Sequence, residues 1–164
     1  MTAQERAKLI EQYARGPQAL EAALKKVPER ARKWRPGPGK WSVHEIVCHC
    51  ADSEANGAIR LRFVLGEESP KLMAYDQDRW AQVFDYHRLP LEPALQVVRA
   101  VRAFTTALVT GLPDAAWSRA GTHSESGRYT AEHWLATYAE HLENHARQIE
   151  RGYAAWQAAT PQRG

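Results

Sequence analysis

The sequence predicts an all-α protein built as a four-helix bundle with one short extra helix. Apolar residues recur every three or four positions along four long segments, which is the periodicity of an amphipathic helix. Strong start and stop signals, such as Ser42 and Gly66, separate these segments. The alternation of apolar and polar residues that marks strands is almost absent. Four long helices and a minor one indicate a bundle.

Length and composition narrow the class of protein. The chain has 164 residues and a net charge of +3, and 44% of its residues are hydrophobic. These values are typical of one globular domain, so we predict a single domain over residues 1–164. The basic residues alternate with acidic ones, and no apolar run reaches the roughly 20 residues of a membrane span. The first residues are too charged for a signal peptide. We therefore expect a cytoplasmic protein with no nucleic-acid or membrane partner.

The opening helix is predicted over residues 3–26. Gly16 and Pro17 predict a break within it, because proline is favoured in the first turn of a new helical piece. A connection rich in proline and glycine follows over residues 28–39.

The second long helix has the clearest signals. Ser42 and Glu45 form a capping box, and Gly66 closes the helix, which predicts a helix over residues 43–65. This helix carries two histidines, His44 and His49, on faces about 140° apart.

A short helix is predicted from the N-cap Asp76 to a point near Pro90. A third long helix is predicted to begin at about residue 92 and to end at Gly111. Residues 120–127 are predicted to form a loop.

The fourth long helix begins after Thr130 and runs to about residue 158. Residues spaced by three or four form its inward stripe: Trp134, Tyr138, His141, His145, Ile149, Gly152 and Trp156. Four residues advance a helix by about 400° and ~6 Å, so His141 and His145 lie one turn apart on one side and can bind a single ion. Two hydrogen-bonded core histidines are the alternative interpretation of this pair.

A third ligand is sought on the second helix, where only one histidine can face the pair. His49 borders the apolar stripe one turn beyond Ile46, whereas His44 lies in the first turn and is expected at the surface or in N-terminal packing. Cys48 and Cys50 point to opposite sides of the helix and cannot form a disulfide. We interpret both as small buried residues.

Glu54 falls within the apolar stripe of the second helix. A carboxylate there requires compensation by a cation, a metal-bound imidazole or a hydrogen bond. Two interpretations remain open: Glu54 orients an imidazole that binds metal, or it pairs with an arginine such as Arg60 or Arg99.

The ordered motifs resemble the DinB/YfiT-like superfamily of metal-binding four-helix bundles. The resemblance covers about residues 7–155 and is carried by Gly39-Lys40-Trp41-Ser42-Val43, Cys48-His49-Cys50-Ala51-Asp52-Ser53-Glu54, Tyr75-Asp76-Gln77-Asp78-Arg79-Trp80-Ala81, and His141-Leu142-Glu143-Asn144-His145 with Gln148-Ile149. It implies one long crossover in the bundle, a divalent ion held by His49, His141 and His145, and a homodimer.

Two functions follow as expectations. Three neutral imidazoles leave the charge of a divalent ion unneutralised and a position open, so the pKa of bound water can fall from ~15.7 to ~7. The resemblance implies hydrolysis, or transfer of a low-molecular-weight thiol such as bacillithiol or mycothiol to a small electrophile. His123, as a proton shuttle or additional ligand, and Glu54 are the candidate catalytic residues, and the metal is zinc, nickel, iron or manganese. The alternative is a non-catalytic metal- or ligand-binding module that acts in stress or sensing.

Overall fold

The computed structural model describes residues 1–160. Residues 161–164, which the predicted single domain includes, lie outside the described residues. Within residues 1–160 there are six α-helices and three short strands: α1 (Ala3–Lys25), α2 (Glu29–Arg32), α3 (Val43–Gly66), β1 (Lys71–Leu72), α4 (Gln77–Val83), α5 (Leu91–Thr110), β2 (Ala120–His123), β3 (Gly127–Thr130) and α6 (Ala131–Ala159). The four long helices α1, α3, α5 and α6 form the predicted bundle. None of the described helices combines the length and the apolar character that a membrane crossing needs.

Contacts between the long helices give their directions. Glu54 on α3 pairs with Arg102 on α5, and Arg62 contacts Thr105 further along both helices, so α3 and α5 are parallel. The hydrogen bonds between α1 and α6 follow the same order along both helices, so these two helices are parallel. The hydrogen bonds between α3 and α6 follow opposite orders, so α1 and α6 are antiparallel to α3 and α5. Because α3 and α5 are consecutive long helices and run in the same direction, the segment over residues 67–90 must return along the bundle. This segment is the expected long crossover.

The predicted break at Gly16 and Pro17 is wrong, because α1 is continuous and contains Pro17. Pro17 has no N–H, so it cannot bond to the carbonyl of Tyr13 four residues earlier. Nη1 of Arg102 donates to that carbonyl instead, at 2.7 Å. A Cβ at Gly16 would lie 3.0 Å from Nη1 of Arg102, so the missing side chain leaves room for the guanidinium. A tertiary hydrogen bond thus replaces the helical one.

The predicted loop over residues 120–127 is also wrong, because most of it belongs to a three-stranded sheet. Strands β2 and β3 form an antiparallel hairpin, and β1 pairs with β2 in parallel. Gly127 follows the hairpin loop with a φ of 72°, a conformation that favours glycine. A Cβ at Gly121 would lie 2.7 Å from the carbonyl oxygen of Pro70, so this crossing requires glycine. The strands are too short to show a periodic pattern, and they place His123 at the end of β2.

The contact between α3 and α6 is close because of Gly57. Trp134 donates from Nε1 to the carbonyl of Gly57 at 2.8 Å, and Tyr138 donates from its hydroxyl to the carbonyl of Ser53 at 3.2 Å. Trp134 and Tyr138 are both buried. This contact sets the distance between the two helices that carry the predicted metal ligands.

The structure predicts that Gly57→Ala lowers the free energy of unfolding by about 1–3 kcal/mol, because the new Cβ overpacks the core. It would lie 2.3 Å from Cζ of Tyr138, which is held by its own hydrogen bond. Gly66→Ala, at the end of the same helix, is the matched control, since no heavy atom lies within 4 Å of its Cβ. It should change the unfolding free energy by about 0.5 kcal/mol or less. Urea denaturation followed by circular dichroism measures both, and equal losses would contradict the packing argument.

Candidate metal centre

Three histidines from two helices meet at one point. His49 on α3 and His141 and His145 on α6 each offer a nitrogen, and these nitrogens lie within 4.8 Å of one another. The ring centroids of His49 and His145 are 4.9 Å apart, and those of His141 and His145 are 4.6 Å apart. Within residues 1–160 this is the one group of three or more His, Cys, Asp or Glu side chains with such spacing.

Hydrogen bonds at the outer nitrogens orient the two histidines of α6. Nδ1 of His141 donates to Oε1 of Glu54 at 3.0 Å, and Nδ1 of His145 donates to Oε1 of Gln148 at 2.9 Å. Because both acceptors are oxygens, each ring carries a proton on Nδ1, and the neutral form of each ring has its lone pair on Nε2. Ser53 Oγ lies 3.3 Å from Nε2 of His141. Each imidazole is therefore in the tautomer that binds a metal through Nε2.

The third histidine has an unsatisfied nitrogen. His49 is 3% exposed, lies with its ring centroid 4.6 Å from that of Trp41, and has a buried Nδ1 without a hydrogen-bond partner among the described residues. Burial, together with repulsion from His145 and His141, lowers the pKa of His49 to about 2. Burial and repulsion from His141 lower the pKa of His145 to about 4. Converging imidazoles with one orphaned nitrogen are a donor set that suits a divalent metal ion.

The buried ion pair of Glu54 and Arg102 contacts this cluster at His141. Nε and Nη2 of Arg102 donate to the two carboxylate oxygens of Glu54 at 2.7 and 2.6 Å, and both side chains are almost fully buried. Nη2 of Arg102 also donates to the carbonyl of Tyr138 at 2.9 Å. Burial alone would raise the pKa of Glu54, but the charge of Arg102 and the hydrogen bond from His141 outweigh it and lower that pKa. Glu54 is therefore an anion that holds the ring of His141.

The predicted partners of Glu54 were wrong, since it pairs with neither Arg60 nor Arg99. Arg60 donates to the carbonyl of Met73, and Arg99 pairs with glutamates of α1 and α5. The correct partner, Arg102, was missed, although the sequence contains a signal for it. It occupies a position on the apolar stripe of α5, whose buried residues are Leu95, Val98, Arg102, Thr105 and Val109.

The other polar groups of α3 stay outside the cluster. His44 is buried rather than at the surface, and its Nε2 donates to the carbonyl of Leu89 at 2.8 Å, so its role is packing. Cys48 and Cys50 are free and buried, as predicted. Burial raises the pKa of Cys48 to about 12 and that of Cys50 well above the usual value, so both remain thiols and are poor metal ligands.

His123 lies outside the three-histidine group, so the structure gives no support to its alternative role as an additional ligand. Its Nδ1 accepts from the backbone N–H groups of Glu125 and Ser126 at 3.3 and 3.4 Å. Partial burial and the charge of Arg60 lower the pKa of His123. The neutral ring therefore has its proton on Nε2.

Two pockets that share Gln77 in their walls lie near the cluster, and we call them the two lobes of the metal cleft. One lobe, of about 390 Å³, is lined by all three clustered histidines and Trp41. The other, of about 360 Å³, is lined by His123, Arg60 and Tyr75. Gln77, at the start of α4, lines both lobes. The loops that bring Trp41 and Gln77 to the cleft have no periodicity, so their sequence does not reveal this position.

Comparisons with known proteins agree with this architecture. A family model described as the DinB superfamily matches residues 12–149. A protein of Bacillus licheniformis is 30% identical over 147 residues, which cover 87% of this chain and 82% of that protein. A protein of Oceanobacillus iheyensis is 33% identical over 111 residues; the match covers 68% of this chain and spans 64% of the length of that relative. Both relatives are named "Putative metal-dependent hydrolase".

Two solved structures are similar to this one. YfiT from Bacillus subtilis, described as having an unusual four-helix bundle topology, superposes with a TM-score of 0.88 at 25% identity over 95% of this chain and 90% of that chain. The four-helix bundle protein TT2238 superposes with a TM-score of 0.61 at 22% identity and covers 92% of this chain and 99% of that chain. Its likeness concerns the fold.

The geometry predicts that His49→Ala weakens binding of a divalent metal by about 100-fold or more, because it removes one of three converging ligands. His44→Ala removes another buried histidine of the same helix, outside the cluster, and should change metal affinity by about twofold or less. Competition with a chromophoric chelator measures both affinities, and circular dichroism verifies that each variant is folded. A large loss in His44→Ala with none in His49→Ala would contradict the ligand assignment.

Proposed function

The chain belongs to the DinB superfamily, and on that premise we propose that it is a metal-dependent enzyme acting on a small electrophilic molecule. In this proposal His49, His141 and His145 hold a divalent ion, and the reaction is hydrolysis or transfer of a low-molecular-weight thiol. The observation that carries it is the convergence of three imidazoles within 4.8 Å in the wall of one pocket. The names of the relatives favour hydrolysis. Imidazole ligands suit zinc, nickel and iron, and manganese to a smaller degree.

The protein groups would prepare the site for such an ion. A bound divalent cation supplies Lewis acidity, which lowers the pKa of a water or thiol ligand and makes it nucleophilic near neutral pH. Glu54 keeps the proton of His141 on Nδ1 and fixes the direction of the ring. Gln148 does the same for His145. Glu54 is thus a positioning residue for the ligand.

His123 is proposed to act on the substrate from the neighbouring lobe as a hydrogen-bond donor. Its Nδ1 is occupied by two backbone N–H groups, so the ring can only donate from Nε2 when neutral. A neutral imidazole placed in this way can donate a hydrogen bond through Nε2–H and so stabilise negative charge that develops on the substrate. Tyr75 and Tyr138 line the same lobe, and burial raises the pKa of Tyr75 to about 12, so that hydroxyl stays protonated.

We expect the purified protein, loaded with zinc, nickel, iron or manganese in turn, to turn over ester or amide substrates or thiol–electrophile pairs. Turnover should vanish with a chelator and return with the metal, because the three histidines remain in place and the site can reload. His145→Ala should lose turnover together with stoichiometric metal, while circular dichroism shows an unchanged helical content. Stoichiometric metal without turnover of any substrate class would favour the non-catalytic binding module.

Glu54→Gln should weaken metal binding by about 10- to 100-fold, because the ring of His141 loses its charged acceptor. It should also lower the unfolding free energy by about 3–5 kcal/mol, since Arg102 is left buried without its counter-charge. Glu45→Gln is a matched control: Glu45 is a second buried glutamate of α3 that pairs with an arginine, Arg35, and has no hydrogen bond to the three clustered histidines.

The control should lose stability and keep its metal affinity within about twofold. Calorimetric metal titration, at a temperature where both variants are folded, separates the two roles. A loss of affinity in both variants would assign Glu54 to general stability only.

A further inference from the structure

A second cavity, larger than either lobe of the metal cleft, lies on another side of the bundle. It has a volume of about 580 Å³ and is formed between α2 and a 3-10 turn at Tyr86–Arg88. We call it the basic pocket and define it by six lining residues: Arg30, Arg32, Lys33, His44, His87 and Arg88. No histidine of the metal cluster lines it.

The charge of the basic pocket is unbalanced. Four permanently charged cations line it, and Glu29 is the one carboxylate in its wall. The ion pairs formed within residues 1–160 use other cations, so none of the four has a carboxylate oxygen within 4.0 Å there. Lys33 lies close enough to His44 to add to the effect of burial in lowering the pKa of that histidine. Repulsion among these cations would be relieved by an anion.

Two of these arginines are held by contacts that supply no negative charge. Nε of Arg32 donates to the carbonyl of Val27 at 3.1 Å, and the guanidinium of Arg30 lies 5.4 Å from the centroid of the Trp156 ring. Both contacts fix the side chain, and neither supplies a counter-charge. The remaining N–H groups are therefore available to an acceptor with several oxygens.

The floor of the pocket is polar and fixed. His44 is 6% exposed and is held by its hydrogen bond to the carbonyl of Leu89. His87 lies beside it, with the ring centroids 5.7 Å apart, and its Nε2 is 2.8 Å from Oγ of Ser42, the N-cap of α3. The apolar side chains of Leu89 and Leu91 complete the rim.

We propose that the basic pocket is a second ligand site, which takes a small molecule bearing a phosphate group. Guanidinium groups bind phosphate oxygens in pairs, and a dianion balances part of the charge of four cations. The volume is in the usual range for small-molecule sites of about 300–1,000 Å³. The rim at Leu89 and Leu91 gives an organic part of the ligand an apolar contact. The site is independent of the metal centre and of the proposed reaction.

The test uses the full chain, with phenyl phosphate and inorganic phosphate as probes and isothermal titration as the measurement. Arg32→Gln/Arg88→Gln should weaken binding of phenyl phosphate by about tenfold or more, because two charge-assisted contacts are lost. Lys8→Gln/Arg15→Gln removes the same charge from the exposed surface of α1 and should change it by about twofold or less. Lys33→Gln/Arg88→Gln, which leaves the Arg32 contact to Val27 intact, should repeat the loss if the first variant is unstable.

Two further measurements locate the bound probe. His145→Ala should bind phenyl phosphate as the parent does, because it alters only the metal cluster, and the ring signals of His44 and His87 should shift during an NMR titration. Binding lost in His145→Ala would place the probe on the metal and overturn the proposal. So would unchanged signals of His44 and His87, or no saturable binding at millimolar phenyl phosphate. A single-stranded oligonucleotide that binds through Arg32 and Arg88 when phenyl phosphate does not would assign the surface to nucleic acid instead.

Discussion

The hydrogen bonds of one buried guanidinium connect all four long helices. Arg102 belongs to α5, pairs with Glu54 of α3, and donates to the carbonyls of Tyr13 in α1 and Tyr138 in α6. Moving a charge of this kind out of water costs several kcal/mol, and only complete pairing with good geometry offsets that cost. Two short bonds to the carboxylate and two to carbonyl groups meet this requirement. Replacing a buried ion pair with apolar side chains is often neutral for stability, so the pair is better explained by what it specifies: the relative positions of four helices.

This interaction explains why α1 contains Pro17 and Gly16 in the middle of a helix. Pro17 is unfavourable inside a helix because it leaves a carbonyl without a donor, and here that carbonyl is an acceptor that Arg102 needs. Gly16 leaves room for the same guanidinium. The carboxylate of the pair connects it to the metal cleft, because Oε1 of Glu54 accepts hydrogen bonds from both Arg102 and His141. One set of bonds thus fixes the helices and aims a metal ligand.

Helical periodicity was sufficient for the bundle and for the convergence of His49, His141 and His145, because the period of 3.6 residues fixes the face on which each side chain lies. It was insufficient where partners come from distant segments. The periodic pattern places Glu54 on the core face, yet several arginines were available to it, and the choice of Arg102 depends on how α3 and α5 align. The small sheet escaped prediction for a related reason: its strands of two and four residues are stabilised by pairing across the chain.

The same periodicity explains how one helix can serve two separate sites. His44 and His49 are five residues apart on α3, so they project about 140° from each other. One therefore faces α6 and the cleft, and the other faces the 3-10 turn beneath the basic pocket. The capping box at Ser42 and Glu45 holds the beginning of α3, and Arg35 and His87 contact the carboxylate of Glu45. The N-terminal part of α3 is thus rigid on both sides. Its register places one buried histidine, His49, in the converging set of metal ligands, and the other, His44, in the wall of the basic pocket.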